Sequence, residues 1–225
     1  MASFVLVPGA GGMAWYWHRV VPLIRAAGHE PIAVDLPGDD SHAGLAAYAE
    51  IVSRAIAARS DVILVAQSLA GFTAPLVCAR AAVRMVVFVN AMIPKPGETA
   101  GAWWGATGAA EAREQAAVRH GYAREFDVAT YFLHDVPQDV LRTGPEQPRE
   151  EAEIVFGEPC RFEHWPDIPI HVLAGSDDRF FPIEFQRRVA RERLGKEVEE
   201  IPGGHLVALS NPEALTERLA AYEKG

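Results

Sequence analysis

The chain has 225 residues, 49% of them hydrophobic and 23% charged, with a formal net charge of −9. That length suits one domain around a single sizeable core, and the composition argues against a disordered or membrane-embedded chain. The acid excess argues against a nucleic-acid partner: the basic run Arg187, Arg188, Arg191 and Arg193 alternates with Val189, Ala190 and Glu192, as a solvated helix face does.

The N-terminus has no basic leader, and its apolar run Phe4–Val7 is too short for a signal peptide or a spanning helix, so a cytoplasmic protein is expected. Runs at Ser3–Val7, Pro31–Val34, Asp61–Ala66, Arg84–Val89, Ile168–Leu173 and Lys196–Ile201 read as strands. They are nearly continuous in apolar residues, as strands covered on both faces must be. Between them lie amphipathic helices. Leu45, Tyr48, Val52 and Ile56 share one helical face, as do Leu215, Leu219 and Tyr222. Gly28 and Gly195 stop helices, and Asn211-Pro212 starts the last one. Alternation of this kind predicts a doubly wound α/β fold with a mostly parallel sheet of about six strands and its ligand at the strands' carboxyl ends.

The first turn, "VLVPGAGGMAW", carries Gly9, Gly11 and Ala14 in G-x-G-x-x-A spacing, with Asp35 ending the next strand in "PIAVDLPG". This fits a dinucleotide site, and equally a turn whose backbone N–H groups face a developing anion. No Tyr is followed four positions later by Lys, the pair usual in short-chain reductases. The stretch "DVILVAQSLAGFTAPLVCAR" runs from strand through Ser68 into a helix, with Ala66 and Ala70 at −2 and +2. Small residues there are what a nucleophile elbow demands, although the usual pattern has glycine at both places. Residues 93–166 break the alternation. "AMIPKPGETAGAWWGATG" and the Ala/Glu/Arg-rich helical stretch behind it read as a small helical cap inserted above the sheet, with residues 1–92 and 167–225 forming the core of one domain.

A serine hydroxyl needs a base, itself oriented by an acid. Asp177 and Asp178 follow the strand "IPIHVLAG", and His205 sits in the glycine turn of "PGGHLVALSNPEAL". With these segments the chain resembles the α/β-hydrolases along nearly its whole length, through "VLVPGAGG", "DLPG", "VAQSLAGF", "LAGSDDRFFP" and "GGHLVALSNPEAL". It is most similar to the small branch of methylesterases and hydroxynitrile lyases. The resemblance implies a Ser68, Asp178, His205 triad, because the family's G-x-x-D motif falls on Gly175 to Asp178 and leaves Asp177 to shape the loop. It implies an oxyanion hole from the backbone N–H groups of Ala10 and Leu69, and no cofactor. Three departures stand out: the family's first two strands have no counterpart, Pro8-Gly9 replaces His-Gly, and alanine replaces glycine in the elbow.

The expected activity is hydrolysis of a small carboxylic ester or lactone through an acyl-enzyme, with a small molecule as the only partner and a monomer or homodimer both open. Cofactor-free lyase or C–C hydrolase chemistry, or ligand binding without turnover, stay open on the same fold. Leu206 stands where hydroxynitrile lyases carry a lysine, which disfavours that reaction. Trp103, Trp104, Tyr131 and Phe132 either form an apolar lid over Ser68 or simply pack the insertion down. The expected pocket is Gly11, Gln67, Trp103, Trp104, Phe132 and His134. His120 and His164 fall in or beside the insertion, His18 and His171 in the first helix and a strand, and no spacing suggests a metal. Cys78 and Cys160 show no pairing pattern and read as buried or tolerated thiols.

Overall fold

The computed structural model describes residues 1–224. Among them the strands form one six-stranded sheet in the order β2-β1-β3-β4-β5-β6, with every neighbouring pair parallel. The strands are β1 Ser3–Val7, β2 Glu30–Ala33, β3 Val62–Gln67, β4 Met85–Val89, β5 Ile170–Gly175 and β6 Val198–Ile201. Expected and observed ends differ by at most two residues. The one consequential shift is at β3, which carries Gln67 as its last residue and so delivers Ser68 at the strand tip.

The continuous apolar runs resolve into two faces of period two. Val5, Val7, Val62, Leu64, Ala66, Val86 and Phe88 belong to one buried cluster, completed by helices Leu45–Ile56, Ala74–Cys78 and Ile183–Leu194. Phe4, Leu6, Ile63, Val65, Val87 and Val89 belong to the other, closed by helices Val20–Ala26 and Pro212–Lys224. Leu45, Tyr48, Val52 and Ile56 are all buried, as are Leu215, Leu219 and Tyr222, so both predicted helix faces are the packed ones. Gly195 ends its helix at φ +64°, the left-handed geometry that glycine adopts without strain.

Five helices lie between β4 and β5 among the described residues: Ala100–Thr107, Ala109–His120, Val128–Tyr131, Gln138–Arg142 and Glu153–Gly157. The Pro/Gly/Trp-rich stretch is thus helical in its second half, capped where Thr99 Oγ1 accepts from the Ala102 N–H (3.0 Å). Arg193 ties the start of this region to the core by donating to the Ile93 carbonyl (2.8 Å) and to Glu98 (3.0 Å). The basic run is consumed in the same way: Arg187 pairs with Glu184 and Glu200, Arg188 with Glu192, and Arg191 with Glu197. No helix among the described residues is long and apolar enough to cross a membrane.

Candidate active site

Ser68 begins a short 3₁₀ turn, Ser68–Gly71, directly after β3. Its φ is +49°, a left-handed value that costs a non-glycine residue on the order of 1 kcal/mol or more and is kept only where the surroundings enforce it. Ala66 and Ala70 are buried and small enough for the turn. The glycine that the turn cannot spare is Gly71: a Cβ there would lie 1.8 Å from the Met92 carbonyl oxygen. That contact is between elements, which explains why alanine serves at the positions beside the serine and glycine is required one residue further on.

Two other strand ends meet this one. The loop after β5 brings Asp178, and the turn after β6 brings His205. They approach closely because Gly175 has no side chain: a Cβ would sit 2.3 Å from the Gly203 carbonyl and 2.6 Å from that of Gly204. His205 Nε2 lies 3.0 Å from Ser68 Oγ, and His205 Nδ1 lies 2.8 Å from Asp178 Oδ2. All three side chains are buried. Asp178 has every acceptor site engaged: Oδ1 takes the N–H groups of Phe180 (2.9 Å) and Phe181 (2.8 Å), and Oδ2 takes Gln186 Nε2 (3.2 Å) beside the imidazole. Because a carboxylate only accepts, His205 Nδ1 carries the proton and Nε2 is left to accept from the Ser68 hydroxyl. Asp177 points elsewhere, to His134 Nε2 (3.1 Å).

Sequence reasoning missed Asn90 and named Gln67 and Phe132 only as pocket residues, not as supports of the histidine. Asn90, just past β4 at φ +47°, donates to the carbonyls of Gly204 and His205 (both 3.0 Å) and accepts from the Gly175 N–H (2.8 Å). Gln67 accepts from the Gly9 N–H (2.9 Å) and donates to the His205 carbonyl (3.4 Å). The rings of Phe132, Phe180 and Phe181 stand 5.0–5.2 Å from that of His205, so the imidazole is boxed in aromatic carbon. A polar residue directly after a strand or within an elbow is a signal for such roles, but only distances assign the partner.

A cavity of about 470 Å³ opens over Ser68. Pro8 to Gly11, Gln67, Ser68, Phe132, His205 and Leu206 line it, with Met13, Trp15, Tyr16, Leu141, Pro145 and Leu209 supplying further apolar wall. Of the residues named from sequence, Gly11, Gln67 and Phe132 line this cavity. Trp103, Trp104, Tyr131 and His134 do not. Trp103 is fully buried, donates its indole N–H to the Ile93 carbonyl (3.0 Å) and packs on Phe181 and Phe185; Trp104 stacks edge-on against Phe180. Tyr131 is buried against Tyr122 and Phe126, and the side chain of His134 is held by Asp177. The cavity wall comes instead from the segment around Leu141–Arg149, which no aromatic pattern announced.

The dinucleotide reading of the first turn loses its support. The Gly9 and Gly11 N–H groups are taken by Gln67 and Glu151, and Asp35 accepts from the Ala14 N–H (2.9 Å) and Arg149 (2.7 Å). His18 caps a 3₁₀ turn rather than lying within a helix, and His120 and His164 are exposed. No group of three or more His, Cys, Asp or Glu side chains suited to a metal occurs among the described residues. Burial pushes the thiols of Cys78 and Cys160 up to about 12, so neither offers a thiolate near neutral pH.

The profile of the alpha/beta hydrolase family matches residues 4–218. The chain belongs to that family. This alpha/beta hydrolase is 34% identical over 110 residues to a probable esterase, PIR7A, of Oryza sativa, and 33% identical over 105 residues to methyl jasmonate esterase 1 of Vitis vinifera. Those stretches cover 44% and 41% of this chain, and only 42% and 40% of the relatives' own lengths. An alpha-hydroxynitrile lyase of Arabidopsis thaliana aligns over 97% of the chain and 95% of its own length at 24% identity. Among solved structures, polyneuridine aldehyde esterase superposes with a TM-score of 0.77 at 19% identity over 99% of both chains. A pyrethroid hydrolase from Sphingobium faniae JZ-2 gives 0.77 at 23% identity over 100% of this chain and 98% of that one. At such identities the two structures speak for the alpha/beta hydrolase fold alone.

Proposed function

We propose that the protein is a serine hydrolase of small carboxylic esters or lactones. The observation that carries this reading is the buried chain of contacts Ser68 Oγ, His205 and Asp178, at 3.0 and 2.8 Å, on the floor of an apolar cavity. As the Ser68 oxygen attacks the ester carbonyl, His205 Nε2 takes its proton. Asp178 stabilises the imidazolium without becoming protonated, because its bonds to Phe180, Phe181 and Gln186 keep it an acceptor. His205 then returns the proton to the departing alkoxide. Water enters by the same base, cleaves the acyl-enzyme and regenerates Ser68.

The negative charge on the carbonyl oxygen needs donors already in place. Leu69 is the second residue of the 3₁₀ turn, where its N–H has no intrahelical acceptor, and the Ala10 N–H has no partner among the described residues. Each would contribute roughly 3 kcal/mol in the transition state. The esterases named among the relatives support ester chemistry in this family branch, and Leu206 stands in the cavity wall at the position where a hydroxynitrile lyase carries its lysine.

The test is turnover of p-nitrophenyl butyrate, with a fluorophosphonate probe to report the nucleophile. Ser68→Ala should lose activity to background and lose the adduct. Undiminished turnover by that variant would sink the mechanism, and a wild-type chain inert to both reagents would favour ligand binding without turnover.

A further inference from the structure

Pro8 provides no N–H at the start of the first turn, so the loop that presents Ala10 must be fastened by other groups. On one side the Gly9 N–H is bonded to Gln67. Within the loop, the Gly12 N–H bonds the Gly9 carbonyl (3.0 Å), with Gly11 between them at φ +81°. The remaining anchor comes from 140 residues away: the Gly11 N–H donates to Glu151 Oε2 at 2.6 Å. Glu151 uses its other oxygen to accept from the Tyr48 hydroxyl (2.5 Å), which rises from helix Leu45–Ile56.

The segment bearing Glu151 is itself fastened down. Arg149 donates to the Leu36 carbonyl (2.6 Å) and to Asp35 (2.7 Å), and the Ala152 N–H bonds the Gly38 carbonyl (2.7 Å). Packing leaves no slack, since a Cβ on Gly11 would lie 2.5 Å from the Arg149 carbonyl. Ala10, exposed toward the cavity, is thereby suspended between two pinned neighbours, Gly9 through Gln67 and Gly11 through Glu151.

We propose that Glu151 is a positioning residue for the reaction: it fixes the loop so that the Ala10 N–H meets the oxyanion, while touching no substrate atom. The inference rests on the esterase reading above. An ordinary surface carboxylate would be freely hydrated. This one is partly buried, with burial holding its carboxyl above the usual range, and it spends both oxygens on the fold.

The experiment measures kcat and KM for p-nitrophenyl butyrate per titrated Ser68, the fluorophosphonate being taken to end point so that only folded sites count. Loosening one oxyanion donor should cost less than its deletion, so Glu151→Ala is expected to lower kcat about 10- to 100-fold while KM stays within about twofold. Glu151→Gln, which keeps an acceptor for the Gly11 N–H, should recover most of that loss. An unchanged kcat in Glu151→Ala overturns the inference, as does a loss that falls on KM or that glutamine fails to rescue. If the alanine chain does not fold, Glu151→Asp, one methylene too short to span Gly11 and Tyr48, carries the same expectation, and wild-type kcat in it overturns the inference. A wild type inert to ester and probe fails differently: it overturns the esterase reading and this inference with it.

Discussion

Asn90 is the residue on which the geometry around His205 depends most. Replacing it with alanine removes two donors to the Gly204 and His205 carbonyls and the acceptor for the Gly175 N–H and for Gln186 Nε2 (3.3 Å), all in a fully buried site. At a net value of about 0.5–1.5 kcal/mol each, four lost hydrogen bonds amount to roughly 2–6 kcal/mol. Alanine must also adopt φ +47°, which asparagine tolerates better, adding about 1 kcal/mol. The expected destabilisation is therefore about 3–7 kcal/mol, a large share of the ~5–15 kcal/mol of a typical domain. Urea unfolding followed by circular dichroism measures it. Asn90→Gly separates the two contributions, since glycine loses the same bonds without the backbone strain and should recover about 1 kcal/mol. A loss below about 1 kcal/mol for Asn90→Ala would refute the assignment of Asn90 as the clamp between β4, β5 and the histidine turn. Equal losses for both variants would refute the strain argument.

Gly9→Ala should lower kcat about 10- to 100-fold and cost about 1–3 kcal/mol of stability, because the new Cβ would lie 2.5 Å from Gln67 Oε1 and 2.8 Å from Ser68 Cβ and must push the loop outward. Wild-type rates in that variant would show that the close approach is unnecessary. Glu30 gives a pH prediction. Hydrogen bonds from Arg59 and Ser3 hold its carboxyl down at about 2, below the value of an unfolded chain. Its contribution to stability is present above the ordinary carboxylate pKa, about 4.5, and is lost as pH falls from there toward about 2. The side chain is 41% exposed, so solvent screening limits the effect to about 1 kcal/mol or less. Melting temperatures of wild type and Glu30→Gln should converge over that interval, and parallel curves would contradict the linkage.

The sequence by itself determined the α/β alternation, the order of the strand-forming segments and the two packed helix faces, because these follow from periodicities of 2 and 3.6 that every residue in an element reports. It also singled out Ser68, the Asp177-Asp178 pair and His205, since each stands beyond the end of an apolar strand with a turn glycine nearby, while the choice of Asp178 came from the family resemblance. What it could not determine depends on contacts between segments far apart in the chain. Trp103 and Trp104 are as apolar as any lid residue, yet they pack on Phe180 and Phe181 because the helix that bears them lies over that loop. The cavity wall fell to Leu141, Pro145 and Arg149, whose local sequence carries no periodicity at all. The glycines of the first turn present the same limit most clearly. Their spacing permits a tight turn, but whether their N–H groups face a phosphate, an oxyanion or a carboxylate depends on what the rest of the chain sets against them. Only the tertiary structure brings Gln67 and Glu151 there and leaves the Ala10 N–H without a partner among the described residues.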